Sequence, residues 1–335
     1  MPYMLFQGGR RRRRRRGPAL LAAVLLLAAG AAAVLALQRA GDDRLATTQP
    51  PEAAVPIQDA GTAPLAGGGT APSPLAVRLQ DGGDPIRLDF KHAPRSALLF
   101  DVDTGQVLWR RDPTRVLPIA SLTKMMTALV VTDRVAAGAK VPITREALRY
   151  RGSGVGMLPR GKRIDVDTML HGLLLPSGND AAIALAQRAA GTVPRFVALM
   201  NARAQRMGLL CTRFSNPDGL VSRGNHSCSG DLAAIARGVL RVPRLARIVR
   251  RRQAILPFPV KGGKLYLYNS NPLLRQGYRG TTGMKTGYTV VAGRCLVVTA
   301  RRGPLKLGVV LLDSPDPATQ ARKLLDRGFR AAGRG

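Results

Sequence analysis

Aromatic residues are scarce in this chain, 4% of its 335 positions with a single Trp. A core of this size must then be filled mainly by Leu, Val, Ile and Ala, and a surface built to stack on bases is disfavoured. Acidic residues are also few, 20 against 52 Lys and Arg, which leaves a formal charge of +32. Such an excess points to a phosphate backbone when it is concentrated and accompanied by a reading motif. Here it is diffuse, +7 over residues 1–45 and +25 over the remainder, with no helix-turn-helix, zinc-finger or aromatic-basic pattern. No nucleic-acid partner is expected. An anionic polymer or a membrane surface is the better use for the charge, beside the plain reading of an Arg-rich composition.

Charge is wholly absent from Ala19 to Leu37, directly after the unbroken run Arg10 to Arg16. A basic region over residues 1–18 ahead of an apolar segment over 19–37 reads as an export signal. Its length exceeds a usual signal core and is just enough to cross a bilayer, so two alternatives stay open. One is a signal peptide cut near Val34-Leu35-Ala36; the other is an uncleaved transmembrane anchor with its arginines inside. Both put the rest of the chain outside the cytoplasm. Residues 41–85 are rich in Pro, Gly, Ala and Thr and bury too little apolar surface to offset their conformational entropy. They are expected to form a flexible linker, either a means of reach or an inert spacer.

Cysteine is limited to Cys211, Cys228 and Cys295, which allows one internal disulfide and leaves one thiol over. Cys211 and Cys228 flank the same loop, whereas Cys295 sits in an apolar strand and reads as a small buried residue. The sequence alone leaves the pairing open.

The folded domain is expected over residues 86–332. Ser96 to Val102, a turn at Asp103-Thr104-Gly105, and Gln106 to Arg110 read as a hairpin. A buried helix follows over 121–138, and helical patterns dominate from about Thr144 to Arg252. Strand patterns return after Gly263, in Lys264 to Tyr268, Thr281 to Thr286, Arg294 to Ala300 and Leu305 to Leu312. A helix over Ala318 to Arg330 closes the domain. Strands at both ends with helices inserted between them predict an α+β fold, an α/β sandwich. In it an antiparallel sheet from distant segments is flanked by helices beside a helical subdomain, with the active site in the cleft.

Three short pieces carry chemistry. In Ser121-Leu122-Thr123-Lys124 the hydroxyl and the amine share one helical face, and a neutral lysine there can take the serine proton. A helix N-terminus at Ser121 adds a field that favours the anion. On its own the tetrapeptide reads more readily as a capping serine with a solvated lysine. Ser177-Gly178-Asn179 forms a turn before an apolar helix and alone reads as its cap. Lys285-Thr286-Gly287 lies in a strand pattern that sends Lys285 and Gly287 to one face and Thr286 to the other. The missing side chain at Gly287 would let a substrate backbone approach.

In this order, and with the flanks Pro118 to Leu129, Pro176 to Ala182, Gly283 to Thr289, Thr212 to Leu220 and Ala292 to Leu296, the chain resembles a known family. It is similar to the low-molecular-mass penicillin-binding proteins of the D-alanyl-D-alanine carboxypeptidase type, serine peptidases of the penicillin-recognising superfamily. The resemblance covers about residues 86–330. It implies a β-lactamase/transpeptidase-like fold and a peptidoglycan stem peptide ending in D-Ala-D-Ala as substrate. It also implies loss of the terminal alanine through an acyl-enzyme, and covalent inhibition by β-lactams. Carried over by motif, Ser121 is the nucleophile, Lys124 its base, and Ser177 with Asn179 the relay and substrate-amide partners. Lys285 and Thr286 bind the terminal carboxylate, and the backbone N–H groups of Ser121 and Tyr288 form the oxyanion hole. No metal or cofactor is implied.

Many members carry a second β-domain and an amphipathic anchoring helix after the catalytic domain. This chain stops at Gly335, so anchoring is expected from the N-terminal segment or not at all. Gly224 to Leu232 is a shortened variant of a family stretch, and His226 reads as a loop residue without a catalytic role. A β-lactamase is the weaker rival, because between Lys124 and Ser177 the only glutamate is Glu146, the other acids being Asp133, Asp165 and Asp167. A D,D-endopeptidase cutting crosslinks is the nearer alternative, since the same residues serve both reactions. The arginines at 241, 244, 247, 250, 251 and 252 predict a cationic helical stripe, either a solvated face or a contact for anionic polymer.

Overall fold

The strongest apolar runs, Leu98-Leu99-Phe100, Cys295 to Thr299 and Leu307 to Leu312, are buried on both faces, as central strands must be when helices cover a sheet on both sides. The computed structural model describes residues 73–80, 82–156, 158–220, 224–260 and 262–333. The basic region, the apolar segment 19–37 and the linker up to residue 72 lie outside the described residues. Among the described residues no helix is long and apolar enough to cross a membrane.

Five antiparallel strands form the sheet. They are β1 (Ser96–Asp101), β2 (Val107–Arg111), β9 (Thr281–Thr289), β10 (Gly293–Arg302) and β11 (Leu305–Leu312), in the order β2-β1-β11-β10-β9. The register pairs Leu98 with Val310 and Val297 with Lys285. Alternation then divides the side chains into two cores. Leu99, Leu296, Val298, Val309 and Leu311 face Leu324, Leu325 and Phe329 of a C-terminal helix. Leu98, Phe100, Val297 and Val310 face the helical subdomain. Each fully buried large side chain contributes about 1.5–3 kcal/mol, so both faces are needed to hold the central strands. β9 lies at the edge of the sheet, with one face of its backbone ladder open.

Short pairs complete the strand set. β3 (Leu117–Pro118) pairs with β6 (His226–Ser227), β4 (Lys140–Pro142) with β5 (Arg163–Asp165), and β7 (Gln253–Pro257) with β8 (Lys264–Tyr268). The helices are α1 (Thr123–Arg134), α2 (Arg145–Leu148), α3 (Val166–Leu174), α4 (Asn179–Ala190), α5 (Val193–Arg206), α6 (Ser229–Arg241), α7 (Pro243–Val249), α8 (Pro272–Arg275) and α9 (Pro317–Ala331). α1 runs through the subdomain with every residue from Thr123 to Val131 buried.

Several expectations need correction. The helix expected over 121–138 starts as a 3₁₀ turn, Ala120–Leu122, and ends at Arg134 because Val135 turns into extended backbone and is itself buried. β7 follows directly on the arginine run, and Pro243 splits the expected stripe between α6 and α7. His226 belongs to β6, where its backbone pairs with Pro118 and exchanges hydrogen bonds with Arg213. Residues 73–80, expected within the flexible linker, lie against the domain. There Leu75, Val77 and Leu79 pack on the core. The buried Arg237 guanidinium fastens them, donating to the carbonyls of Leu75 at 2.7 Å and Ala76 at 2.6 Å as well as to Val102 at 2.8 Å. Cys211 and Cys228 are bonded, tying the segment after α5 to the start of α6, and Cys295 is free and buried in β10.

Candidate active site

Ser121 sits in the 3₁₀ turn that leads into α1, between the sheet and the helical subdomain. Ala120 just before it takes a left-handed conformation, φ 47°, which costs a non-glycine residue about 1–2 kcal/mol. The turn is held from behind. Thr123 donates its hydroxyl to the Ala120 carbonyl at 2.8 Å, and Gly219 lies so close that a Cβ there would come 2.0 Å from that same oxygen. From the sheet side Gly287 of β9 closes on the turn, where a Cβ would meet Ile119 O at 2.9 Å and Ser121 N at 3.3 Å. The side of Gly287 that a Cβ would occupy therefore faces the Ser121 turn.

Lys124 follows one turn later and is fully buried. Its Nζ lies 2.9 Å from Ser121 Oγ, 2.7 Å from Asn179 Oδ1 and 2.6 Å from the Asp218 carbonyl. Asn179 Nδ2 donates to the Arg151 carbonyl at 2.6 Å, which turns the amide oxygen toward the lysine. Two of the three neighbours are thus acceptors only. A neutral amine has two hydrogens, and with both given to Asn179 Oδ1 and Asp218 O its lone pair is left facing the Ser121 hydroxyl. Burial favours the neutral form, lowering the Lys124 pKa to about 8 against the opposing pull of Asp218 and Asp180. The hydroxyl's other acceptor, Asp218 O, is long at 3.4 Å.

The Asp218 carbonyl is presented by a loop that sequence reasoning did not single out for this role. Asn225, buried, accepts from the N–H of Asn216 at 3.1 Å and donates to Thr123 Oγ1 at 3.1 Å. Thr127 of α1 donates to Pro217 O at 2.6 Å. Both anchors belong to the helix that carries Lys124, so the loop presenting the Asp218 carbonyl is tied to that helix. A second missed residue is Asp180, whose buried carboxylate accepts from the N–H groups of Val155 at 2.9 Å and Ala181 at 2.7 Å. Desolvation raises its pKa, and the backbone donors oppose that rise.

Ser177 is buried and left-handed, φ 72°, and its hydroxyl has no hydrogen-bond partner. A strained serine with a free buried hydroxyl is costly unless a ligand completes it. Lys285 on β9 is also fully buried; its Nζ donates to the Thr286 carbonyl at 2.8 Å. Burial and then the nearby charge of Lys124 push its pKa well below the ordinary lysine value. Thr286 Oγ1 lies 2.7 Å from Ser270 Oγ, a contact the sequence did not foretell, and Ser270 N–H donates to Leu175 O at 3.1 Å beside the Ser177 turn. The Tyr288 ring is exposed, and its strand is the sheet edge. The structure thus links Ser121, Lys124 and Asn179 by direct hydrogen bonds, and sets Gly287 against the turn that carries Ser121.

The acids considered for a lactamase role are committed elsewhere. Glu146 meets Gln187 at 2.5 Å, about 12 Å along α4 from Asn179. Asp165 pairs with Lys140, Asp167 with Arg244, and Asp133 with Arg203.

Residues 85–316 match the family Peptidase_S11, D-alanyl-D-alanine carboxypeptidase. The chain is 33% identical over 265 residues to D-alanyl-D-alanine carboxypeptidase DacF of Bacillus subtilis, covering 77% of this chain and 67% of that one. It is 33% identical over 250 residues to D-alanyl-D-alanine carboxypeptidase DacC of Escherichia coli, covering 70% of this chain and 61% of the relative. The matched part therefore spans about two thirds or less of these relatives' length. Among solved structures, the Streptomyces K15 DD-transpeptidase superposes with a TM-score of 0.68 at 30% identity, covering 73% of this chain and all of that one.

Proposed function

The chain belongs to the D-alanyl-D-alanine carboxypeptidase family, and from that premise we propose that it removes the terminal D-alanine from peptidoglycan stem peptides ending in D-Ala-D-Ala. The observation that carries the reading is the buried Lys124 amine, 2.9 Å from Ser121 Oγ and held by the acceptors Asn179 Oδ1 and Asp218 O. Ser121 Oγ attacks the carbonyl carbon of the penultimate residue while its proton passes to Lys124 Nζ. The backbone N–H groups of Ser121 and Tyr288 receive the oxyanion, Gly287 allowing the strand to lie close enough to the turn for both to act. As the C–N bond breaks, the leaving amine takes its proton through the Ser177 hydroxyl, whose lack of a partner in the free site suits that role. Water then cleaves the ester by the same base. No step calls for a metal or cofactor.

Lys285 and Thr286 receive the terminal carboxylate. Burial and the charge of Lys124 lower the Lys285 pKa, while an arriving carboxylate favours the charged form of Lys285, whose charge in turn disfavours that of Lys124. β-Lactams acylate the same hydroxyl. The carboxypeptidase names of both relatives do not favour the endopeptidase alternative. The substrate class places the work outside the cytoplasm, with residues 1–37 acting as signal peptide or membrane anchor. The test is incubation with a pentapeptide ending in D-Ala-D-Ala. Release of one D-alanine by wild type and none by Ser121→Ala supports the reading, and no release by folded wild type defeats it.

A further inference from the structure

A threonine hydroxyl carries a single hydrogen that rotates to suit its surroundings, so Thr286 can serve a carboxylate well only when that hydrogen is already aimed. Ser270 can aim it. Its Oγ lies 2.7 Å from Thr286 Oγ1, and among the described residues the Thr286 hydroxyl has no other hydrogen-bond partner. A carboxylate only accepts, so a Thr286 hydroxyl that meets one gives its hydrogen away and keeps its oxygen free to accept from Ser270. The order of the chain follows: Ser270 donates to Thr286, and Thr286 to the carboxylate.

The segment that carries Ser270, between β8 and α8, is pinned on several sides. Asn269, buried, donates its amide to the carbonyls of Val249 at 3.2 Å and Arg251 at 2.9 Å, and its Oδ1 accepts the N–H of Asn271 at 2.9 Å. Asn271, also buried, caps α8 by accepting from the N–H of Leu273 at 3.0 Å. Ser270 itself donates its N–H to the carbonyl of Leu175, at the end of α3 and two residues before Ser177. Ser270 is thus held by its backbone to the helical side of the cleft and by its hydroxyl to β9. A hydroxyl on so fixed a mount is a preorganised donor, and little freedom is lost when the carboxylate arrives.

We propose that Ser270 is a positioning residue for the terminal carboxylate: it holds the Thr286 hydroxyl with its hydrogen toward the substrate and so strengthens the preference for a free C-terminal acid. The proposal rests on the D-Ala-D-Ala peptidase reading above and adds to it a residue outside the three motifs. The Ser270 hydroxyl makes no contact with Ser121 or Lys124, so its loss falls on binding of the acid and not on acyl transfer.

The test compares a diacylated L-lysyl-D-alanyl-D-alanine with its C-terminal amide. Ser270→Ala should lower kcat/KM for the acid about five-fold, mainly through KM, and leave the amide within about two-fold of wild type. Ser270→Thr, which keeps a hydroxyl at the position, should bring the acid back to within about two-fold of wild type. In a Thr286→Val background Ser270→Ala should leave the acid-to-amide ratio unchanged, because it acts through the hydroxyl already removed. An equal loss for acid and amide, an unchanged ratio in Ser270→Ala alone, or a full effect that persists in Thr286→Val overturns the proposal. If wild type releases no D-alanine, the peptidase reading has failed, and calorimetric binding of both peptides to Ser121→Ala still decides the role of Ser270. About five-fold weaker binding of the acid alone in Ser121→Ala/Ser270→Ala supports it. Acid binding that is unchanged, or that weakens together with the amide, rejects it.

Discussion

Between about pH 7 and pH 9 the rate at which a β-lactam acylates Ser121 should rise roughly ten-fold, because only the neutral Lys124 can take the serine proton. With its pKa lowered to about 8 by burial, Lys124 is neutral in about one molecule in ten at pH 7 and nine in ten at pH 9. The sign follows from which form is active: the deprotonated one, so the rate grows as pH rises through the folded pKa and levels off above it. Asp180→Asn provides the perturbation. Its carboxylate is one of the charges that hold the Lys124 pKa up, while the amide oxygen of asparagine can still accept from Val155 and Ala181. Removing the charge should move the midpoint down by about half a unit to one unit and raise the rate near neutral pH by up to several-fold. The assay is the second-order acylation constant of a fluorescent penicillin, measured by stopped flow across the pH range for both proteins. A flat profile, a midpoint at the free-lysine value, or a midpoint that moves up in Asp180→Asn would refute the lone-pair argument.

Other outcomes follow from the same geometry. Lys124→Arg should lose acylation by about a hundred-fold or more, since guanidinium keeps its proton; a variant acylated at the wild-type rate excludes the base role. Peptides ending in D-alanine amide should be cleaved at least about ten-fold less efficiently than the free acid, and Lys285→Ala should shrink that gap, as paired kcat/KM values would reveal. Gly287→Ala should slow acylation about ten-fold or more while the protein stays folded by circular dichroism, because the new methyl presses on Ile119 O and Ser121 N. Cys211→Ala/Cys228→Ala should lower unfolding stability by about 2–5 kcal/mol in a denaturant titration, and an unchanged midpoint would deny the bond a structural role.

How much of this was legible in the sequence depends on which atoms do the work. Ser121, Lys124 and Asn179 meet through side chains; the helical spacing put Lys124 beside Ser121, and the family resemblance added Asn179 to them. The acceptor that orients the lysine is a backbone carbonyl at Asp218, and every residue has one, so no letter marks it. Asn225 and Thr127 hold that carbonyl in place, but their purpose exists only once the loop folds over α1. Gly287 stood out for its missing side chain, but that this side would meet the Ser121 turn could not be read, because sequence does not say which surface a strand will meet. Ser270 becomes part of the site only through the pairing of β7 with β8, and β7 was hidden by the arginines before it. The sheet was readable because Leu98 to Phe100 and Leu307 to Leu312 are apolar at every position. The end of α1 was not, since Val135 to Ala137 continue an acceptable helical pattern and only burial of Val135 in extended backbone ends it.

The central claim is that Ser121 is the group acylated, with Lys124 as the base that makes it reactive. Mass spectrometry of proteolytic peptides after reaction with penicillin tests it most directly. The account predicts a single adduct of one penicillin mass, mapped to the peptide that contains Ser121, absent from Ser121→Ala and formed at a strongly reduced rate in Lys124→Arg. An adduct on any other residue, or undiminished labelling of a folded Ser121→Ala protein, would contradict it.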